Sequence, residues 1–503
     1  MAGVKRREVL VASSLFALGA TACGPTMLFA EKRKKRLVVA TAKEIGRLGI
    51  TGGGGSETSN VVMLIFDTLV TLDEKLNVAG KLAVKWFQSS DTEWTFELRP
   101  GVLFSNGEAC DASAVAHSIE RLATLVPAYS YRNQWGSAWP PRARVIDATT
   151  VAVSTPVPQV TLPRLLSRIP IAPPRASQSP DFANTPIGSG PYKIKSWTRG
   201  GSLLLEANQR HYNGPPHIDE LAWISIPNPA ARVVALRAGD VDLAWDVPYE
   251  RVNIVEKDPR LQILSYQSIG LAFVVFNFRA KTSPIADPRV RRALTFAIDA
   301  EGIRDALMGG NGELSRGPAP SQVIGAVDAG GYPQRDVAKA KRLLAEAGHP
   351  DGLNLVLIYE AGNFAHEEEV CGAIIAQLGD AGVRVQFEEL PPGGMNERRK
   401  KLDWDLMPNS VPGSFTGEAS YHYYQLKSQQ AFYSRRVEAL LDRANQINSV
   451  DRLDLLREAM RILWSETPYL WSLGVARTFG AVRSLTGLRY IPINWLSFAD
   501  AHV

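Results

Sequence analysis

Cysteine, histidine and long apolar runs are all scarce in this sequence, and each scarcity removes a class of protein. Cysteine occurs three times in 503 residues, at 23, 110 and 371. Cys23 falls in a leader, so at most one bridge remains, and a chain of this size does not need one. The seven histidines, at 117, 211, 217, 349, 366, 422 and 502, show no paired metal spacing. His366-Glu367-Glu368-Glu369-Val370 lacks the second histidine of a zinc-protease helix, so no metal is expected. Beyond Ala30 no segment is long and apolar enough to span a bilayer. An excess of one charge is missing too. Of the formal net charge of +5, Lys5, Arg6, Arg7 and Glu8 account for +2, and acids and bases are mixed over the rest, which is no nucleic-acid signature. The run Gly52-Gly53-Gly54-Gly55 is not followed by Gly-Lys-Ser/Thr, so it is no phosphate loop. Ser414 in Gly413-Ser414-Phe415-Thr416-Gly417 is off the centre of a nucleophile elbow. Neither an enzyme nor a cofactor is expected; a secreted hydrolase is the weaker alternative.

What is present is globular: 45% hydrophobic and 21% charged residues, in a chain long enough for two or three domains. Its start is a targeting segment. Lys5-Arg6-Arg7 precedes the apolar run Val9 to Ala22, the order of an export signal over residues 1–22 with a linker over 23–36. Arg6-Arg7-Glu8-Val9-Leu10 resembles a twin-arginine motif, and the basic cluster Lys32 to Arg36 suits that route. Cys23 after small residues resembles a lipoprotein lipidation site, although Ala20 stands where Leu is usual and Ala20-Thr21-Ala22 also reads as an ordinary cleavage site. A retained anchor over Val9 to Ala30 is the third reading. All three place the rest outside the cytoplasmic membrane, in the periplasm or on the membrane's outer face.

The body reads as α/β. Trp94-Thr95-Phe96-Glu97-Leu98 alternates as a half-buried strand; Pro100-Gly101 turns it and Val102-Leu103-Phe104 reads as a short returning strand. Asp111 then caps a helix whose stripe is Val115, Ile119 and Leu122. Aromatic residues gather at Tyr129, Tyr131, Trp135 and Trp139, suited to line a pocket or to pack locally. Leu221 to Ile226, a helix to Ala238 and a strand from Val241 form one βαβ unit, and a strand runs from Leu271 to Phe278. Beyond Lys281 the pattern restarts with caps at Asp287, Asp299 and Asp336, a second βαβ unit over Leu353 to Phe387, a helix Arg452 to Trp464 and a strand Tyr469 to Leu473.

Five ordered motifs then resemble the family 5 extracellular solute-binding proteins of bacterial ABC importers. They are Trp94-Thr95-Phe96 with Leu98-Arg99-Pro100-Gly101-Val102, Phe104, Gly107, Ser118 and Arg121; Gly188-Ser189-Gly190-Pro191-Tyr192; Leu236 to Asp242; Val290 to Leu294 with Ala297-Ile298-Asp299; and Leu343 to Gly348 with Asp351-Gly352. The resemblance implies a two-lobed periplasmic-binding-protein clamp fold. Lobe one would be 37–278 plus 474–503, with an inserted subdomain over about 77–184, and lobe two 279–473, with hinge crossings near Phe278 and Leu473. It implies a monomer that captures a small solute, most simply a peptide or peptide-like compound, and delivers it to an ABC permease in the cytoplasmic membrane. A nickel chelate, an opine, a sugar, or service to a sensor are the alternatives.

In peptide-binding relatives an aromatic-Asp strand followed by an acidic Asp-Pro loop supplies a carboxylate to the ligand's ammonium group. Asp403-Trp404-Asp405-Leu406-Met407 matches the strand's start, but the loop from Pro408 to Glu418 has no Asp-Pro, and Glu418 is its only acid. Glu418 is therefore the candidate ammonium partner. Tyr421, His422 and Trp404, with Trp135 from the earlier cluster, are the other candidate ligand-binding side chains.

Overall fold

A computed structural model describes residues 35–49, 55–125, 135–391, 393–411 and 416–503, which fall in one compact unit, Lys35–Val503. The leader, Cys23, the glycine run at 52–54, Tyr129, Tyr131 and Ser414 lie outside the described residues. No described helix is long and apolar enough to cross a membrane.

The described part opens with β1 (Arg36–Thr41) and a helix, Gly55–Ile65, then the ribbon β2 (Val70–Leu72) and β3 (Val78–Gly80). A four-stranded antiparallel sheet follows from β4 (Ala83–Ser90), β5 (Glu93–Leu98), β6 (Arg142–Asp147) and β7 (Thr150–Ser154), in the order β4-β5-β7-β6. Next come β8 (Tyr192–Trp197), β9 (Ser202–Ala207), β10 (Glu220–Ser225), β11 (Leu243–Ala244) and the long β12 (Leu261–Phe276). The second half supplies β13 (Glu313–Leu314), β14 (Leu353–Tyr359), β15 (Val383–Glu389), β16 (Leu406–Val411) and the long β17 (Tyr469–Val482). A small terminal pair, β18 (Arg489–Ile491) and β19 (Trp495–Ser497), ends the chain.

Eleven strands form one sheet in the order β15-β14-β16-β12-β17-β11-β1-β10-β9-β8, with β13 against β17. β12 and β17 are its spine. The lower part of β12, Leu261 to Gln267, pairs with Ala476 to Val482, and its upper part, Leu271 to Val275, pairs with Tyr469 to Gly474. Between them the register slips: β12 uses Ser268-Ile269-Gly270 where β17 uses Val475 alone. Upper β12 is covered on both faces, as a central strand must be. Leu271, Phe273 and Val275 point into a core with Trp404 and Met407; Ala272, Val274 and Phe276 point into another with Leu355, Leu357 and the helices Pro288–Ala297 and Glu367–Asp380. On the far side Leu37, Val39, Leu203, Leu205, Leu221 and Trp223 form a separate core under the helix Gly55–Ile65.

Local signals hold. The Asp111 carboxylate accepts from the Ser113 and Ala114 amides, capping the helix Ala112–Leu125, and Val115, Ile119 and Leu122 are buried in the core of the four-stranded sheet. Asp287, Asp299 and Asp336 cap the helices that follow them. Long-range expectations need correction. Val102 to Phe104 is no returning strand; one bridge, Leu103 to Ala109, remains, because β5 finds its partners in β4 and β7. The β10–helix–β11 unit is split by β1, which pairs with both. The strand expected from Leu271 begins ten residues earlier, at Leu261, and the one expected to end at Leu473 runs on to Val482.

Candidate functional site

Glu418 is held by its backbone before its side chain does anything. The Ile324 amide donates to Gly417 O at 2.9 Å and the Ala419 amide to Ile324 O at 2.9 Å, which ties the segment to the chain around Ile324. Gly417 sits at φ +70°, and a Cβ there would come within 3.1 Å of the Leu76 side chain, so the approach requires glycine. Glu418 is thereby carried into the interior, with only 2% of its surface exposed.

Its carboxylate meets two arginines. Arg452, on the helix Asp451–Ser465, donates through Nη2 to both oxygens, at 2.7 and 2.9 Å. Arg164, on the short helix Leu162–Leu166 that packs with the four-stranded sheet, brings Nε to 3.8 Å. Arg164 is anchored by its Nη1, which donates to Leu76 O at 2.6 Å and Thr416 O at 3.0 Å. Burial pulls its pKa below the ordinary arginine value, and the Glu418 carboxylate opposes that pull. Beside the three charges lies a cavity of about 210 Å³, bounded also by Trp86, Trp94 and Val160. Trp94 Nε1 donates to Gln159 O at 3.1 Å, which fixes that ring, and the Val160 amide donates to Asn445 O at 2.8 Å across the gap. The cavity thus lies where the small sheet's layer meets the second half of the chain.

The other expected residues separate. Tyr421 borders a recess of about 10 Å³ next to Glu418, room for one water, and burial raises its phenol pKa. His422 is 1% exposed, neither ring nitrogen has a hydrogen-bond partner, and burial pushes its pKa down to about 3, so it is neutral at ordinary pH. Trp404 is buried in the core beneath upper β12. Trp135 is buried in the core of the four-stranded sheet, with its ring 6.0 Å from that of Trp139 in an edge-on contact. Only Glu418 of the five borders the 210 Å³ cavity. Arg164, Arg452, Trp86 and Val160 were not singled out by sequence reasoning; the available signal for Arg164 was one cation inside the apolar run Thr161-Leu162-Pro163-Arg164-Leu165-Leu166.

A larger cavity, about 330 Å³, lies against β13 and Gly474. Its charged groups already answer one another, since Arg316 pairs with Asp328 at 2.7 Å and Ser321 donates to Glu313 at 3.0 Å, while the buried Ser315 hydroxyl on its wall has no partner among the described residues. No cluster of His, Cys, Asp and Glu among the described residues could hold a metal ion.

The family model for bacterial extracellular solute-binding proteins, family 5, matches residues 77–433, well over half the chain. The chain belongs to that family. Family 5 proteins are extracellular binding proteins and not enzymes. The chain is 26% identical over 498 residues to the glutathione-binding protein GsiB of Pectobacterium atrosepticum, covering 93% of this chain and 94% of that one. It is 26% identical over 519 residues to the protein of the same name in Escherichia coli K12, covering 97% and 98%. Among solved structures, a dipeptide-binding protein of a Pseudoalteromonas species in complex with Met-Leu superposes with a TM-score of 0.81 at 18% identity, covering 93% of this chain and 99% of that one. The binding protein AgaA in complex with agropinic acid, from A. tumefaciens, gives 0.79 at 23% identity, covering 93% and 98%. These likenesses show the fold, the two-lobed α/β clamp of the periplasmic binding proteins.

Proposed function

We propose that the chain is the substrate-binding component of an ABC importer, a monomer that captures a peptide or peptide-like solute between two lobes and delivers it to a permease in the cytoplasmic membrane. The observation that carries this reading is the spine of the large sheet. Two long strands, β12 and β17, run through both halves of the protein and lose register most at one level, Ser268 to Gly270 against Val475, with a second one-residue slip at Leu470 between Val274 and Val275. Such a break is where a clamp can bend with few hydrogen bonds disturbed. Lobe one then comprises about 37–278 and 474–503 with the inserted subdomain 77–184, and lobe two 279–473. The register break supports setting the first crossing at Ser268 to Gly270, ahead of Phe278. The peptide-like ligand rests on the relatives that bind glutathione and a dipeptide. Export by residues 1–22, through the twin-arginine route, with lipidation at Cys23, completes the proposal and suits an extracellular binding protein.

Closure must be driven by tighter binding to the closed state than to the open one. The test is a thermal-shift and X-ray scattering screen of peptides, glutathione, opines, sugars and nickel chelates. A ligand at 100 times its dissociation constant adds ~2.7 kcal/mol of stability, and the same ligand should shrink the radius of gyration. If no solute does either, the binding reading fails.

A further inference from the structure

We propose that the cleft of this protein selects its solute by a carboxylate and not by an ammonium group, with Arg452 as the principal contact and Arg164 beside it; this rests on the solute-binding reading above. A buried acid at Glu418 would ordinarily be read as an ammonium anchor. Here its negative charge is already answered, by a guanidinium that engages both carboxylate oxygens at 2.7 and 2.9 Å and a second at 3.8 Å. An incoming ammonium would have to compete with the Arg452 guanidinium for the same carboxylate, and it would enter beside two fixed cations.

The charge around the cavity is in excess on the cationic side. Arg164 and Arg452 face one carboxylate, and the segment Leu406 to Gly417 leading to it contains no acid. Asp73 is the other acid whose field reaches Arg164, but it sits at the solvent, its carboxylate occupied by the Lys75 and Asn77 amides. On the neighbouring Tyr421 the charge felt is again a cation, Arg168. A buried cation in excess of its counter-charges is costly, and a ligand carboxylate supplies the missing charge. Glu418 then acts as a positioning residue, holding the Arg452 guanidinium with its remaining edge available. Trp86 and Trp94, which also line the cavity, suit an apolar or aromatic body on the solute. At about 210 Å³ the cavity admits a solute of amino-acid-derivative to dipeptide size.

The experiment is calorimetric titration of the mature chain with a panel of amino acids and dipeptides, each in three forms: unmodified, N-acetylated with the carboxylate kept, and as the carboxamide with the ammonium kept. The N-acetyl acid of a binding solute should retain its affinity within about threefold, and its carboxamide should bind at least tenfold more weakly. Arg452→Gln should lower affinity for the acid at least tenfold and erase most of the preference for the acid over the carboxamide. Glu418→Gln, which removes the negative charge but keeps an acceptor for Arg452, should bind the acid at least as tightly as the natural protein, and it reads the same point should Arg452→Gln fail to fold. A carboxamide that binds as well as the acid, or an ammonium ligand lost on Glu418→Gln, overturns the carboxylate assignment and leaves the binding function standing. Silence across this panel and the wider solute screen overturns the binding reading, and the carboxylate assignment with it.

Discussion

The Arg477 guanidinium donates to the Asp246 carboxylate at 2.8 Å, joining β17 to the segment after β11. The same arginine reaches Asn494 Oδ1 at 3.3 Å, and that oxygen also accepts from Ser268 in the β12 bulge at 2.8 Å and from Tyr490 at 2.6 Å. The break in the spine is therefore laced by polar contacts around the buried Ile269. Asp246 sits at φ +50°, a conformation asparagine adopts readily, so Asp246→Asn tests the charge without adding backbone strain. The substitution should destabilise the protein by ~1–2 kcal/mol, seen as a lower urea midpoint at unchanged slope. An unaltered midpoint would mean that the pair contributes nothing at this site.

Gly188 and Gly190 lie against the end of the helix Gly55–Ile65, where the Gly190 amide donates to Ile65 O at 2.9 Å. A Cβ on Gly188 would stand 2.0 Å from Ile65 O, and one on Gly190 2.5 Å from Leu64 O. Backbone cannot yield as a side-chain tip can, so Gly188→Ala should cost ~3 kcal/mol or more. Gly372 is the control. It is exposed in the helix Glu367–Asp380 with nothing within 4 Å of its would-be Cβ, and Gly372→Ala should add up to ~1 kcal/mol. Chemical denaturation of the two variants should give shifts of opposite sign.

The two thiols of the folded body should be silent. Cys110 and Cys371 are buried and unbridged, and burial raises both pKa values, that of Cys371 to about 12. Only a thiolate attacks. On the Cys23→Ser chain at pH 8, a chromogenic thiol reagent should find no fast-reacting group until denaturant is added and two thereafter; fast reaction in the native protein would contradict the burial of one of them.

What could be read ahead of the structure divides by the range of the interaction. The Asp111, Asp287, Asp299 and Asp336 caps were legible because a cap and its amides are two or three residues apart. So was the stripe Val115, Ile119, Leu122. Lower β12 was missed because Leu261-Gln262-Ile263-Leu264-Ser265-Tyr266-Gln267 is a half-polar run whose partner lies more than two hundred residues away, in β17. The site shows the same division. Glu418 stood out as a lone acid in its loop, but Arg452 lies 34 residues on, and Arg164 reaches Thr416 across 252. Only the fold brings these cations to the acid, and they change its meaning. Trp135 is a candidate by side-chain type and Trp404 by its place in the strand that resembles the peptide-binding relatives', and neither signal distinguishes a pocket wall from a core.

His422 should make the protein sensitive to mild acid. It is enclosed, no charged group compensates it, and burial alone takes its pKa down to about 3, against about 6.5 in an unfolded chain. Below pH 6.5 the unfolded state binds a proton that the folded state refuses, so stability is complete above that pH and falls as pH is lowered towards 3, by at most ~1.4 kcal/mol per pH unit. Between pH 7 and pH 5 this one group should remove ~2 kcal/mol. His422→Phe keeps an aromatic ring in the same core and has nothing to protonate. Urea unfolding of both proteins at pH 7 and pH 5 isolates the contribution, because every other titrating group is shared. The difference between the two proteins should change by ~2 kcal/mol in favour of the variant at the lower pH. A difference that does not move with pH would mean that the folded protein lets a proton or water reach His422, and that the ring is less enclosed than its position beside Tyr421 implies.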